Sequence, residues 1–241
     1  MYSKTDFSSR TVLITGASGN LGQAVVKKYY QSGSQLLLFD RNFDSIEHRI
    51  TEIASSPGRF SFYEVDVNDP DSIEQAVKKI LEIYGHLDIL INTVGGYYSG
   101  KALHETPLDK LDYMIRLNLY SVFLVCKYVI PSMIDQHFGK IVNIAARPGL
   151  KGTSKSAAYS AAKSGVIRLT ESMATELIHK GINVNCILPG TIDTPQNRKE
   201  MQDAEYDRWL KPEQIADVIL FLTSEEASAI NGAAIPVYGR S

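Results

Sequence analysis

Short apolar runs alternate with longer segments of helical periodicity along the chain. The first run, Thr11–Thr15, is rich in β-branched residues and leads through several glycines into a helical pattern near Leu21. Runs that are apolar throughout are typical of strands covered on both faces. The alternation therefore predicts an α/β protein with a parallel sheet. We predict strands at Thr11–Thr15, Gln35–Asp40, Arg59–Val65, Leu87–Asn92, Lys140–Ala145, Asn183–Leu188 and Ala233–Val237.

The segments between these strands carry helix signals at their ends. Pro70 and Pro212 each open a helical pattern, and Gly85 and Gly181 each follow one. Thr191–Trp209 instead loses the period and becomes polar, which is typical of a lid or substrate loop. With no repeat or linker, we predict a single domain over residues 1–241, with 191–210 as its substrate lid. The helices predicted after the first are Ile46–Ala54, Pro70–Tyr84, Leu108–His137, Ala157–His179 and Pro212–Leu222.

The composition narrows the class of protein. The 241 residues are 44% hydrophobic and 22% charged, with a formal net charge of −2, so no basic excess suggests nucleic acid. The histidines are scattered, and no grouping has metal-ligand spacing, so we expect no metal. Cys126 and Cys186 lie in apolar runs and are interpreted as buried thiols of a reducing compartment. Because no apolar run reaches about 18 residues, we expect no membrane segment and a soluble, cytoplasmic protein.

The first strand leads into a glycine-rich turn and then into a helix. Such a turn lets the backbone approach a pyrophosphate, and the helix start offers unpaired N–H groups to its charge. Strand, turn, helix and second strand together indicate a dinucleotide site. The residues that we assign to this part of the site are Gly16, Ser18, Gly19, Asn20, Leu21 and Gly22.

The choice between the two nicotinamide dinucleotides depends on Asp40 and Arg41, at the end of the second strand. The Asp40 carboxylate can bind the ribose 2′-hydroxyl of NAD and repel the 2′-phosphate of NADP. The Arg41 guanidinium can stack on adenine or, turned inward, recruit that phosphate instead. We therefore favour NAD(H) over NADP(H).

Tyr159 and Lys163 form the candidate catalytic pair. At a spacing of i, i+4 they share one helix face. A free tyrosine has a pKa of about 10, and a nearby ammonium group favours its ionised form. Such a pair can give and take a proton near neutral pH, as a general acid must.

In their order and spacing, these motifs resemble the short-chain dehydrogenase/reductase family over nearly the whole chain. The resemblance rests on the glycine turn, Asp66, Asn92–Gly95, Asn118, Tyr159, Lys163 and Pro189–Gly190. It implies a single-domain, doubly wound Rossmann fold with a seven-stranded parallel sheet that binds NAD(P). It also implies a homodimer or homotetramer, often assembled through the two long helices, that acts on a small-molecule substrate.

The resemblance also implies roles for individual residues. Tyr159 would donate a proton to the substrate as hydride arrives, and Lys163 would hold the nicotinamide ribose and lower the pKa of the tyrosine. Asn118 would help to anchor a proton-relay water. The other positions implied in cofactor binding are Asp66, Val67, Thr93, Val94, Gly95, Pro189, Gly190, Ile192 and Thr194.

The chain departs from the family pattern in three places. The middle glycine of the turn lies at Gly19, followed by Asn20, and the usual Asn-Ala-Gly after the fourth strand is replaced by Asn92-Thr-Val-Gly95. Most informative is Ala146, thirteen residues before Tyr159, where the family usually has a catalytic serine. Loss of one oriented donor typically costs on the order of 10²-fold in rate. Candidate substitutes are a backbone N–H group or the hydroxyl of Ser154, Ser156 or Tyr97.

Alanine at this position, together with the lid sequence, resembles the dihydropteridine reductase branch. A quinonoid dihydropterin accepts hydride with less demand for carbonyl polarisation, and Tyr97, Tyr98 or Trp209 could pack against its ring. We assign Tyr97, Ala146 and Trp209 to the substrate side. The alternatives are a reductase or dehydrogenase of another ketone or 3-oxoacyl substrate, and a nucleotide-sensing binding protein that has lost its chemistry.

Overall fold

The structure, a computed structural model, describes residues 6–42 and 58–240. The strands are β1 Thr11–Thr15, β2 Gln35–Asp40, β3 Phe60–Glu64, β4 Ile89–Asn92, β5 Gly139–Ile144, β6 Ile182–Pro189 and β7 Ala234–Val237. All pairs among these strands are parallel, and the sheet order is β3-β2-β1-β4-β5-β6-β7. The order reverses between β1 and β4, which is the switch point of a doubly wound sheet. The prediction of a seven-stranded parallel Rossmann fold is therefore confirmed.

Within the described residues, the α-helices follow the predicted pattern, with two additions. The helix predicted at Ile46–Ala54 lies outside the described residues. The two additions are Arg147–Leu150 (α4) and Pro195–Glu200 (α6), which were not predicted because helices of four and six residues leave no measurable periodicity. The helices are α1 Asn20–Gln31, α2 Pro70–Tyr84, α3 Leu108–Asp135, α4 Arg147–Leu150, α5 Ala157–Leu177, α6 Pro195–Glu200 and α7 Pro212–Leu222.

Local chemistry sets the ends of α2. Pro70 occupies the first turn, where its missing N–H costs nothing, and the Asp69 side chain accepts a hydrogen bond from the Asp71 N–H at 3.1 Å. Gly85 ends the helix in the left-handed conformation at φ 75°. The sequence signals at both ends therefore act as expected.

Two apolar layers cover the sheet. On one face, Leu13, Leu37 and Leu90 pack with buried side chains of α2, α3 and α5. On the other face, Val12 and Leu36 pack with side chains of α1 and α7. Because both faces are covered, successive residues of β1, β4 and β5 are all buried, which explains their uninterrupted apolar runs.

Helix α3 differs from the prediction in two ways. By length and composition α3 could cross a membrane, because an 18-residue window of this helix has a mean hydropathy of 1.5. The sequence alone did not lead us to predict a membrane-spanning candidate here. However, Val125, Val129 and Met133 are buried in the layer on the sheet, as in the core helix of a globular protein. The helix also contains a π turn, Arg116–Tyr120, that the periodicity did not predict.

Candidate active site

The glycine turn after β1 has the tight geometry that a pyrophosphate site requires. Gly16 has φ +67°, a conformation that side-chain-bearing residues rarely adopt, and the Gly19 N–H donates to the Gly16 carbonyl at 3.0 Å. A Cβ on Gly22 would clash with that same carbonyl. Asn20 and Leu21 form the first positions of α1, so its N-terminus starts at the turn. The predicted cofactor residues of this segment are therefore brought together, and the backbone fits a dinucleotide phosphate.

The loop after β4 lies directly against this turn. The Thr93 hydroxyl donates to the Thr15 carbonyl at 2.6 Å, and the Thr93 N–H donates to Thr15 Oγ1 at 3.2 Å. A Cβ on Gly16 would lie 3.0 Å from Val94 Cγ2. Thr93 and Val94 thus flank the glycine turn at the switch point between β1 and β4.

Asp40, at the end of β2, is coupled to the glycine turn. One carboxylate oxygen accepts hydrogen bonds from the Ser18 N–H at 2.9 Å and the Ser18 hydroxyl at 2.7 Å, and the other accepts from the Arg41 N–H at 2.8 Å. The Arg41 side chain is exposed. After β3, Asp66 is exposed and Val67 is buried. A fixed carboxylate therefore stands beside the turn, as a ribose-binding acid would.

Gly95, Asn118 and Lys163 converge beyond β4. Asn118 lies in the π turn of α3, where its side-chain oxygen accepts from the Gly96 N–H at 3.1 Å and its amide donates to the Met114 carbonyl at 3.1 Å. A Cβ on Gly95 would lie 2.9 Å from Asn118 Oδ1 and 3.3 Å from Lys163 Nζ. Only glycine leaves this approach open. The three residues, remote in sequence, line one side of the site.

The Lys163 ammonium is almost fully removed from solvent. The residue is 3% exposed, and its Nζ donates to the Ile144 carbonyl at the end of β5 at 2.7 Å. Burial lowers the pKa of Lys163 to about 8, and Cys186 opposes this shift weakly. A lysine whose pKa lies this close to neutral pH is unusual for a structural residue and typical of functional sites.

The electrostatics of Tyr159 correct one expectation. Its pKa is raised, first by burial and second by the neighbouring Tyr97, whereas we expected Lys163 to lower it. The Lys163 Nζ lies 5.9 Å from the centroid of the Tyr159 ring and donates its hydrogen bond to the Ile144 carbonyl. Desolvation of the phenolate therefore exceeds the attraction of the ammonium in this chain.

Ala146 is buried two residues after Ile144, the residue whose carbonyl accepts from Lys163. It has extended backbone and precedes α4, which packs closely on α5: a Cβ on Gly149 would lie 2.8 Å from the Lys163 carbonyl carbon. The Ser164 hydroxyl donates to the Gly149 carbonyl at 2.6 Å. This packing sets the position of residue 146 relative to Tyr159, and an alanine there offers no hydroxyl.

The two aromatic residues assigned to the substrate side have different surroundings. The Tyr97 ring meets the Tyr159 ring edge to face, with centroids 4.8 Å apart and planes at 88°. The Trp209 ring instead contacts Tyr206, with centroids at 4.8 Å. Tyr97 is therefore at the candidate catalytic residue, whereas Trp209 belongs to the segment 191–210.

That segment is organised by its own contacts. Its ends are paired: the Leu210 N–H donates to the Thr191 carbonyl at 2.9 Å, and the Asp193 N–H donates back to Leu210 at 2.7 Å. Arg198 binds Asp193 through two hydrogen bonds of 2.6 and 2.8 Å. Thr194 caps α6, accepting from the Asn197 N–H at 3.1 Å. The remaining positions predicted to bind the cofactor lie where β6 leads into this segment: Pro189 ends β6, Gly190 follows it, and Ile192 forms a bridge with Leu210.

A buried polar chain beneath the site was missed from sequence. The Asn92 amide donates to Asn143 Oδ1 at 2.9 Å, and the Asn143 amide donates to the Thr170 hydroxyl at 3.0 Å. It ties the ends of β4 and β5 to α5. The available signal was an asparagine near the end of each apolar run.

Within 6–42 and 58–240, no group of three or more His, Cys, Asp or Glu side chains could hold a metal.

Comparison with known proteins gives consistent matches. A sequence model of the family described as short chain dehydrogenase matches residues 10–205. The 3-oxoacyl-[acyl-carrier-protein] reductase FabG of Thermotoga maritima is 34% identical over 95% of this chain and 96% of its own. An NAD+-bound xylitol dehydrogenase has a TM-score of 0.90 at 26% identity, covering 97% of this chain and 99% of that one. ElxO with NADP bound has a TM-score of 0.88 at 29% identity, covering 95% and 97%.

Proposed function

Since the chain belongs to the short chain dehydrogenase family and is an NAD(P)-dependent oxidoreductase, we propose that it reduces a small carbonyl substrate, with Tyr159 as proton donor. The observation that carries this proposal is the pair of the half-buried Tyr159 and the buried Lys163, whose Nζ lies beside Gly95 at the same sheet edge as the glycine turn. A protein that only bound the dinucleotide would need the turn and Lys163, but it would not need a proton donor at Tyr159.

The residues of the chain divide the work of the reaction. When bound, the nicotinamide cofactor supplies the hydride. The glycine turn and the start of α1 would hold its phosphates, Asp40 its adenosine ribose and Lys163 its nicotinamide ribose. Tyr159 would pass its proton to the substrate oxygen as hydride reaches the carbonyl carbon. The raised pKa keeps Tyr159 protonated at neutral pH, as a proton donor in reduction must be.

For the substrate we favour a ketone or 3-oxoacyl thioester, in keeping with the activity named for the Thermotoga relative. The quinonoid dihydropterin has no support among the relatives found. Its arguments are the lid sequence and Ala146, since an electron-poor ring needs less help from a hydroxyl at that position. The substrate panel below therefore includes it as the second candidate.

We also propose NAD(H) as the preferred cofactor. The Asp40 carboxylate is held by Ser18 beside the glycine turn, where a 2′-phosphate would meet its negative charge. Solved relatives bind either dinucleotide, one with NAD+ and one with NADP, so the preference of this chain depends on its own residues. Arg41 is exposed and free to stack on adenine.

Assembly and organisation complete the proposal. We keep residues 1–241 as one domain with 191–210 as the substrate lid, and we expect a cytoplasmic homodimer or homotetramer. Tyr120 and Phe123 support assembly through α3, because both are large apolar side chains with 38% and 50% of their surface exposed.

The deciding experiment measures cofactor oxidation by the purified chain with a substrate panel. The panel holds a 3-oxoacyl thioester, small ketones and a quinonoid dihydropterin, each with NADH and with NADPH. Tyr159→Phe should lower kcat by about 10²- to 10⁴-fold, because the proton donor is lost, while NADH affinity changes little. Full activity in that variant would refute the role of Tyr159. Tight NADH binding without turnover of any substrate would instead support a nucleotide sensor.

A further inference from the structure

The site lacks the hydroxyl that usually orients the substrate carbonyl, and two of the candidate substitutes are engaged elsewhere. The buried Ser156 hydroxyl donates to the Thr153 carbonyl at 3.0 Å and lies 3.1 Å from the Ser160 hydroxyl, at the start of α5. The Ala145 N–H donates to the Ile187 carbonyl in the sheet at 2.9 Å. The donors of Ser156 and Ala145 are therefore already used within the protein. Ser154 lies on an exposed turn.

Tyr97 is different because its ring is in contact with the proton donor itself. The two rings pack edge to face at 4.8 Å and 88°. The phenols are close enough for Tyr97 to contribute to the raised pKa of Tyr159. Tyr97 is nevertheless 60% exposed, so its polar end remains available to a ligand beside Tyr159.

The backbone before Tyr97 is also fixed. The Gly96 N–H is bound to Asn118 Oδ1 at 3.1 Å, and a Cβ on Gly96 would lie 2.7 Å from Leu117 Cδ2. The loop therefore lies tightly on the π turn of α3. A side chain that leaves an anchored loop and packs on another ring loses little conformational freedom when it binds a ligand.

From this placement we propose that the Tyr97 hydroxyl donates a hydrogen bond to the substrate carbonyl oxygen, in place of the serine that is absent at Ala146. The inference rests on the proposed function. In the reaction, hydride from the reduced cofactor goes to the carbonyl carbon and the proton of Tyr159 goes to its oxygen, leaving the cofactor oxidised. Tyr97 gives up no proton and only stabilises the charge that develops on that oxygen.

The test is a rescue experiment with two single variants and their combination. Tyr97→Phe should lower kcat/KM for the best panel substrate by about 10²-fold, because one oriented donor is lost. Ala146→Ser should raise kcat/KM far more in the Tyr97→Phe background than in the parent chain, since the serine supplies the missing donor only where it is needed. A purely packing role would give equal effects of Ala146→Ser in both backgrounds.

Tyr113→Phe is the matched control. Tyr113 lies on α3 and is 54% exposed, close to the exposure of Tyr97, so the same loss of a hydroxyl should leave kcat/KM within about twofold. Melting temperature and NADH affinity confirm that each variant is folded. Turnover by Tyr97→Phe at the parental rate would overturn this inference alone. Absence of turnover by the parent chain would overturn the proposed function and this inference with it.

Discussion

Two buried lysines at opposite ends of β5 show how differently one residue type is used in this protein. Lys140 lies at the amino end of the strand, and Lys163 reaches the carbonyl of Ile144 at the other end. Each is 3% exposed, and burial lowers the pKa of both ammonium groups. By burial alone they are indistinguishable.

Their surroundings separate them. The Lys140 Nζ donates to Asn183 Oδ1 at 2.7 Å and lies 5.7 Å from the centroid of the Phe138 ring, and Glu225 partly offsets the effect of burial on its pKa. Lys163 has a backbone carbonyl as its hydrogen-bond acceptor and faces Gly95 and Asn118. Lys140 therefore belongs to a compensated polar cluster. Lys163 faces a gap that glycine keeps open, at the edge where strand ends bind ligands.

The strongest test of this comparison replaces each lysine by methionine. Lys163→Met should lower kcat by about 10²- to 10³-fold, because it removes the positive charge beside Tyr159. Lys140→Met should keep kcat within about twofold and lower the free energy of unfolding by about 1 kcal/mol, since Asn183 loses a donor. Steady-state kinetics and urea unfolding measure both. Equal losses of activity would show that the two ends are not functionally distinct.

A second test uses the pH dependence of stability. The pKa of Lys163 is about 8 in the folded chain, below its ordinary value of 10.5. Between these values the unfolded chain holds the extra proton, so the free energy of unfolding should rise with pH across this window. The rise from this residue should reach about 3 kcal/mol. Urea unfolding from about pH 7 to about pH 10 should show a smaller rise in Lys163→Met. Identical curves would contradict the lowered pKa.

A third test compares aspartates at the same two edges. Asp40→Asn should lower the preference for NADH over NADPH by about tenfold, because it removes the charge that opposes a 2′-phosphate. Asp88 is buried at the other edge, where it accepts from the Thr11 N–H at 2.8 Å and lies 3.5 Å from Arg10. Asp88→Asn should leave the cofactor preference unchanged and cost about 1 to 2 kcal/mol of stability. The ratio of kcat/KM with NADH to kcat/KM with NADPH measures the cofactor preference, and urea unfolding measures the stability. A changed cofactor preference in Asp88→Asn would contradict the functional difference between the two edges of the sheet.

Much of the fold follows from local signals. The predicted bounds of β1, β2, α2 and α7 agree with the structure, because apolar runs, an opening proline and a terminal glycine act within a few residues. The short helix α4 and the π turn around Asn118 were not predicted. Both are single turns whose stability comes from packing, α4 on α5 and the π turn against Gly96.

In the candidate site, too, some features follow from local sequence and others depend on tertiary packing. Order and spacing were enough to assign Tyr159, Lys163, Asn118 and the glycine turn as candidates. The raised pKa of Tyr159 was not predictable, because the spacing of Tyr and Lys on a helix carries no information about how far water is excluded from the phenol.

By itself, the sequence determined the alternation of strands and helices, the glycine turn and the absence of a hydroxyl at Ala146. These features are local, since periodicity, conformational freedom and side-chain chemistry belong to neighbouring residues. Only the tertiary structure decided how far Lys163 is buried, and which aromatic ring meets Tyr159. Tyr97 and Trp209 were equal candidates in sequence, and the fold brings Tyr97 to the proton donor and pairs Trp209 with Tyr206. Contacts between distant segments depend on how the whole chain packs, and no short pattern encodes them.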